Sequence, residues 1–337
     1  MLSIAAVDPT TTVGSPGLWT ATIVGLVLLL AVDFLVTRRP HEVSLREAGT
    51  WSAVYIAIPL AFGVYVWTRW GSQTGIEYLT GYLVEKTLSI DNLFVFMLLL
   101  AAFAVPVALQ QRALLIGVLG ALVLRGIFIA LGAAALSRFT AAFLVFGLIL
   151  LATGVKLLRD QRSGAQHVID PTSMRSVRLV RRFVPVTDAY HGTRLSVRLG
   201  ARRALTPFGL VVVAILATDI VFAVDSVPAV YGITGDPYLV FVTNAFALLG
   251  LRALYFVLHG ALARLVHLGY GLAIILGVIG VKLVLHWAHT VWPAVPEIPT
   301  LASLGVIVAV LTTVTLTSLR ASRRREAVET VDAVEVH

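Results

Sequence analysis

The sequence predicts an all-α polytopic membrane protein, and three observations carry that expectation. First, 58% of the 337 residues are hydrophobic and only 13% are charged, where a soluble domain has about a quarter charged residues to face water. Second, the apolar residues come in long continuous runs, not in the alternation of a barrel strand. Third, arginines concentrate in the gaps between alternate runs, the pattern of cytoplasmic loops.

Nine runs approach the roughly 20 residues that cross a bilayer. Their approximate limits are 17–36, 50–70, 77–101, 112–136, 141–158, 205–232, 237–262, 266–287 and 299–319. Arg38 and Arg39 follow the first run, Arg112 opens the fourth, and Arg264 lies between the seventh and eighth. Arg320, Arg323, Arg324 and Arg325 follow the ninth. The opposite side has Arg69 and Arg138 but little else; the turn 232–237 and the segment 287–299 have neither Lys nor Arg. An odd number of spans with the N-terminus outside and the C-terminus in the cytoplasm puts every basic-rich loop on one side of the plasma membrane. Residues 1–17 lack the basic start of a signal peptide.

The net charge of +8 does not point to nucleic acid, because it resides in these loops. The absence of cysteine excludes disulfides, thiolate metal sites and thiol catalysis. No H-E-x-x-H, G-x-S-x-G or P-loop pattern occurs, so an enzyme is not expected, nor is a tightly bound cofactor. The long basic segment 159–204 reads as a small soluble subdomain or as a surface against anionic lipid headgroups, with simple solvation or a protein partner as alternatives. Residues 320–337 are expected to lack regular structure.

A repeat is the most informative feature. Glu85, six residues before Asp91–Asn92, is followed by Leu124-Arg125-Gly126 and Thr153-Gly-Val-Lys156. Asp219, six residues before Asp225–Ser226, is followed by Leu251-Arg252-Ala253 and Ile279-Gly-Val-Lys282. The separation from arginine to lysine is 31 residues in one copy and 30 in the other. Each copy holds three helices, so the second enters the membrane inverted, as in many secondary transporters with binding sites near the midplane. The expected organisation is 1–76 (first two helices), 77–158 (first repeat), 159–204 (basic loop), 205–287 (second repeat), 288–319 (last helix) and 320–337 (tail).

Glu85, Asp91, Asp219 and Asp225 all fall within apolar runs, where each unpaired carboxylate costs about 2.5–3.5 kcal/mol on insertion scales. Arg125 and Arg252 are the candidate ion-pair partners, and two arginines leave two acids over. The candidate cation ligands are Asp91, Asp225, Glu85, Asp219, Asn92 and Ser226, with Asp91 and Asp225 as principal pair. A spacing of six residues turns side chains about 120° apart. The two acids of a pair therefore converge only if the helix deforms, for which Pro228 is a candidate, or else each faces a different neighbour. Carboxylate, amide and hydroxyl oxygens suit hard cations such as Mn²⁺, Mg²⁺ and Ca²⁺. Ser89, Asn244 and Thr218 are further polar residues near the acids, and Met97 and His259 read as packing and interfacial residues. Asp33, near the cytoplasmic end of the first run, is either interfacial or on an exit path.

The stretches Glu77-Tyr-Leu-Thr-Gly-Tyr-Leu-Val-Glu85-Lys-Thr-Leu-Ser-Ile-Asp91-Asn-Leu-Phe-Val-Phe and Ala217-Thr-Asp219-Ile-Val-Phe-Ala-Val-Asp225-Ser-Val-Pro-Ala resemble the TerC/Alx family of integral membrane proteins. The segment Pro185-Val-Thr-Asp-Ala-Tyr-His191-Gly does too. The family is associated with tellurite resistance and Mn²⁺ export, and is grouped with the lysine-exporter superfamily of inverted-repeat transporters. The resemblance implies a Mn²⁺ exporter whose acidic motifs are matched by Glu85, Asp91, Asn92, Asp219, Asp225 and Ser226. The alternative is a resistance-associated membrane assembly or scaffold protein that moves no ion.

Overall fold

The computed structural model describes residues 12–36, 45–163, 174–187, 189–199, 202–251, 254–255 and 267–335. Ten helices and one hairpin are described. They are α1 (Pro16–Val36), α2 (Leu45–Trp70), α3 (Ser72–Ala102), α4 (Val107–Arg138), α5 (Ala141–Arg162), α6 (Arg175–Phe183), β1 (Ser196–Leu199), β2 (Arg202–Leu205), α7 (Pro207–Tyr231), α8 (Pro237–Leu249), α9 (Leu268–Val291) and α10 (Thr300–Glu335).

Seven of these, α1, α2, α4, α5, α7, α9 and the first part of α10, are long and apolar enough to cross a membrane. The protein is a multi-pass helical membrane protein. The two other expected spans are different in kind. α3 is 31 residues long but carries Glu77, Glu85, Lys86 and Asp91, which lowers its hydropathy. α8 has only 13 residues and ends at Leu249, capped by Gly250; the remainder of the expected 237–262 run lies largely outside the described residues. α10 continues without a break to Glu335, where an irregular tail was expected. The tail is rich in Ala, Arg and Glu, which favour helix, and α10 supplies the costly nucleus.

The helix ends follow from local chemistry. Gly71 turns the chain from α2 into α3 with φ +90°, a conformation open to glycine, while its N–H bonds Trp67 O at 3.0 Å. Thr206 caps α7 by accepting from Gly209 N at 3.0 Å, ahead of Pro207. Asp236 caps α8 by accepting from Tyr238 N at 2.8 Å. The same carboxylate accepts from Thr12 Oγ1 at 2.7 Å and Val13 N at 2.6 Å, which fastens the segment before α1 to the start of α8.

The main core lies among α3, α4, α7 and α8, with Phe96, Leu114, Ile215 and Leu248 buried in it. A second core joins α5 and α9 around Leu150, Ile275 and Ile279. These two helices approach at backbone distance: a Cβ on Gly147 would meet Gly280 O at 2.9 Å, and one on Gly154 would meet Ala273 O at 3.0 Å. Rising numbers on α5 meet falling numbers on α9, so the pair is antiparallel. Small residues at such a seam are the usual means of close helix packing in lipid. The outward faces stay apolar, as Leu28 and Leu35 of α1 and Val123 and Leu131 of α4 show.

Candidate functional site

Among the described residues, the bundle interior holds a charge network centred on Arg125 of α4. Arg125, Glu85 and Asp219 are each 0% exposed. Glu85 arrives from α3 and forms an ion pair with Arg125 Nη1. Asp219 arrives from α7, with Oδ1 3.5 Å from Nη2. Asn244 of α8 accepts from Nη1 at 2.9 Å, and its own amide is aimed by a 3.0 Å bond from Nδ2 to Val240 O. With its amide oriented to satisfy both neighbours, Asn92 accepts from Arg125 Nη2 at 2.9 Å and donates to Leu88 O at 3.1 Å. Four helices thus converge on one guanidinium, whose planar fork of donors suits several acceptors at once.

The helical period explains which residues gather there. Glu85, Ser89 and Asn92 follow at intervals of four and three residues, so they share a face of α3. Asp219 and Ser226 are seven apart on α7 and likewise share one. Asp91 and Asp225 fall on neighbouring faces and are half-buried. Asp225 lies within electrostatic reach of both Arg125 and Asp91. α7 runs helically through Pro228 to Tyr231, so the proline does not fold the Asp219–Asp225 pair onto one point. Each pair is divided: one acid goes to the arginine and one to a different side.

Near the network, Ser89 Oγ and Ser226 Oγ are among the buried hydroxyls with no hydrogen-bond partner in the described residues, and no oxygen of Glu85 or Asp219 has a well-formed hydrogen bond. Buried polar atoms are rarely left so. Among the described residues, no three His, Asp or Glu side chains are gathered as a metal cluster. Two carboxylates supplemented by hydroxyl oxygen and water are nonetheless a known way to hold a small hard cation. Arg252 and His259 lie outside the described residues.

The remaining candidates are elsewhere. Asp33, buried at the end of α1, accepts from Tyr55 OH of α2 at 3.2 Å. Met97 packs against the main core, and Thr218 donates to Ala214 O within its own helix at 2.8 Å. One polar residue not singled out by sequence is Lys86, whose Nζ donates to Ala247 O at 3.3 Å in a half-buried position. A lysine directly after a core glutamate was the available signal. At the other end of α3, Glu77 accepts from Thr234 Oγ1 at 2.8 Å and Gln73 Nε2 at 3.0 Å.

A sequence profile described as the integral membrane protein TerC family matches residues 70–326. An uncharacterized membrane protein of Mycobacterium tuberculosis strain H37Rv is 45% identical over 280 residues, which span 82% of this chain and 70% of that protein. An uncharacterized membrane protein of Myxococcus xanthus is 41% identical over 272 residues, 80% and 84% of the two chains. The Escherichia coli K12 protein Alx, whose name describes it as a candidate membrane-bound redox modulator, is 39% identical over 286 residues, 81% and 87% of the two chains. No solved structure matches.

Proposed function

The chain belongs to the integral membrane protein TerC family, and from that premise we propose that it exports a hard divalent cation, Mn²⁺, through a site formed by Asp91 and Asp225. One observation carries the reading: acids at equivalent places in two sequence repeats are brought to one region of the bundle interior, around a single described arginine. Arg125 pairs with Glu85 and lies against Asp219, which gives the network its fixed frame. Asp91 and Asp225 are the principal ligands; Ser226, whose hydroxyl has no partner among the described residues, follows the second of them in sequence and shares the face of Asp219. Asn92 serves the frame by its bond to Arg125 more directly than it serves the cation. The preference for Mn²⁺ over Mg²⁺ or Ca²⁺, and for export over uptake, rests on the family resemblance alone.

The accompanying architecture is nine spans, N-terminus outside, with α3–α5 and the second repeat through α9 related by a two-fold axis in the membrane plane. The α5–α9 seam supports it. Gly154 and Gly280 occupy matching places in the two copies, as do Gly147 and Ala273, and the close approaches are Gly147 to Gly280 and Gly154 to Ala273. Exchange of the two copies maps one contact onto the other.

The name of the Alx relatives raises a redox reading. This chain has no cysteine and so no thiol to carry such chemistry itself; control of a redox-active cation in the cell is one route by which it would exert that influence. A scaffold needs no acids in the membrane interior, where each is expensive. The discriminating experiment is whole-cell manganese content with and without expression. A transporter lowers it and the Asp91→Asn variant does not; unchanged content in both favours the scaffold.

A further inference from the structure

The segment between α5 and α7 presents a surface that transport does not explain. Its position is set by the helices on either side: α5 ends at Arg162 and α7 begins at Pro207, so the segment lies at one face of the membrane. Tyr190 OH donates to Phe103 O at 2.8 Å, and Arg112 Nη1 donates to Thr193 Oγ1 at 3.4 Å. These bonds hold it over the turn from α3 to α4. Val177 of α6 is buried in the main core, which fixes which way the rest of that helix faces.

What α6 turns outward is both apolar and cationic. Leu179 is 59% exposed and Phe183, one helical turn on, is 74% exposed. Arg181 and Arg182 are exposed beside them. The hairpin adds a second, independent feature. Arg198 of β1 is the direct cross-strand partner of Arg203 of β2, and both are exposed. Directly opposed side chains in an antiparallel pair have Cβ atoms about 4.5–5.5 Å apart, and like charges there repel. Such a pair is relieved by an anion between the two guanidiniums, and arginine forks match phosphate oxygens. Water solvates arginines, but it does not favour an exposed leucine–phenylalanine stripe next to them; a bilayer interface favours both.

We infer that this segment is an anionic-phospholipid-binding surface, in which Arg198 and Arg203 hold the lipid phosphate and Leu179 and Phe183 enter the acyl boundary of the same leaflet. The inference is independent of what the pathway carries. It is tested by amide hydrogen exchange of residues 174–187 and 196–205 in the full-length protein. The protein is placed in nanodiscs of phosphatidylcholine, of phosphatidylcholine mixed with phosphatidylglycerol, and of phosphatidylcholine with added inorganic phosphate. Exchange in both stretches slows when phosphatidylglycerol is present. Arg198→Gln with Arg203→Gln weakens that protection by roughly fivefold per charge removed, while exchange in α4 and α7 stays as in the parent. Phe183→Ser speeds exchange of α6 in every disc but leaves the preference for the anionic lipid. Equal exchange in the two lipid compositions overturns the proposal, and so does protection by inorganic phosphate alone, which would make this a soluble-anion site.

Discussion

Glu85 and Asp219 differ from Asp91 and Asp225 in a way that six residues of helix dictate. The first two are fully buried and share Arg125; the second two, farther along the same helices, are half-buried. Because i and i+6 point about 120° apart, a straight helix cannot bring both acids of a pair to one partner. The bundle uses that divergence. One acid from each helix is held fully buried against Arg125 together with two asparagines, and the other points to a neighbouring, half-buried face. If the proposed function holds, the two kinds of acid on one helix have separate consequences: loss of the inner pair is expected to be a folding defect, and loss of the outer pair a transport defect.

The largest effect is expected at Arg125. Arg125→Gln leaves Glu85 and Asp219 buried without their counter-charge, which costs about 3–5 kcal/mol. Thermal unfolding in detergent and the folded yield after purification should both fall sharply. A parent-like melting temperature would show that the inner pair is not a structural frame. Adding Glu85→Gln to Arg125→Gln should recover part of the loss, since the coupling of neighbouring charges is not additive. Asn244→Ala comes next, at about 1.5–3 kcal/mol for a hydrogen bond to a charged group, and it should lower stability in parallel with transport. The smallest stability effect is expected at Ser226. Its hydroxyl has no partner to lose among the described residues, so Ser226→Ala should change stability by less than about 1 kcal/mol while weakening cation affinity. Destabilisation by more than that would place Ser226 with the frame.

Much of this was legible in the sequence, for physical reasons that differ by region. α1, α2, α4, α5, α7 and α9 announce themselves because continuous apolar runs of that length have few other uses. α3 is legible through its acids, which also take it below the hydropathy of its neighbours. The convergence on Arg125 was half visible. A mid-span arginine needs an acid, and Glu85 and Asp219 were candidates, but nothing local says which acid of each pair it takes. That choice depends on the rotation of α3 and α7 about their axes, which is set by packing across the whole core. Asn92 illustrates this: adjacent to Asp91, it reads as a partner of that acid, yet the seven-residue interval from Glu85 turns it to Arg125. α6 and the hairpin were hidden because nine residues and two four-residue strands are too short for periodicity to stand out in an arginine-rich segment.

The central claim is that Asp91 and Asp225 carry the cation while Glu85 and Asp219 do not. Efflux of Mn²⁺ from loaded proteoliposomes tests it directly, with Asp91→Asn and Asp225→Asn each compared with the parent at equal amounts of folded protein. These substitutions keep size and hydrogen-bonding capacity and remove one charge. The account predicts melting temperatures close to the parent's together with efflux lowered roughly tenfold or more, the equivalent of about 1.4 kcal/mol. Parent-rate efflux from both well-folded variants would contradict it and leave these two acids without a part in transport.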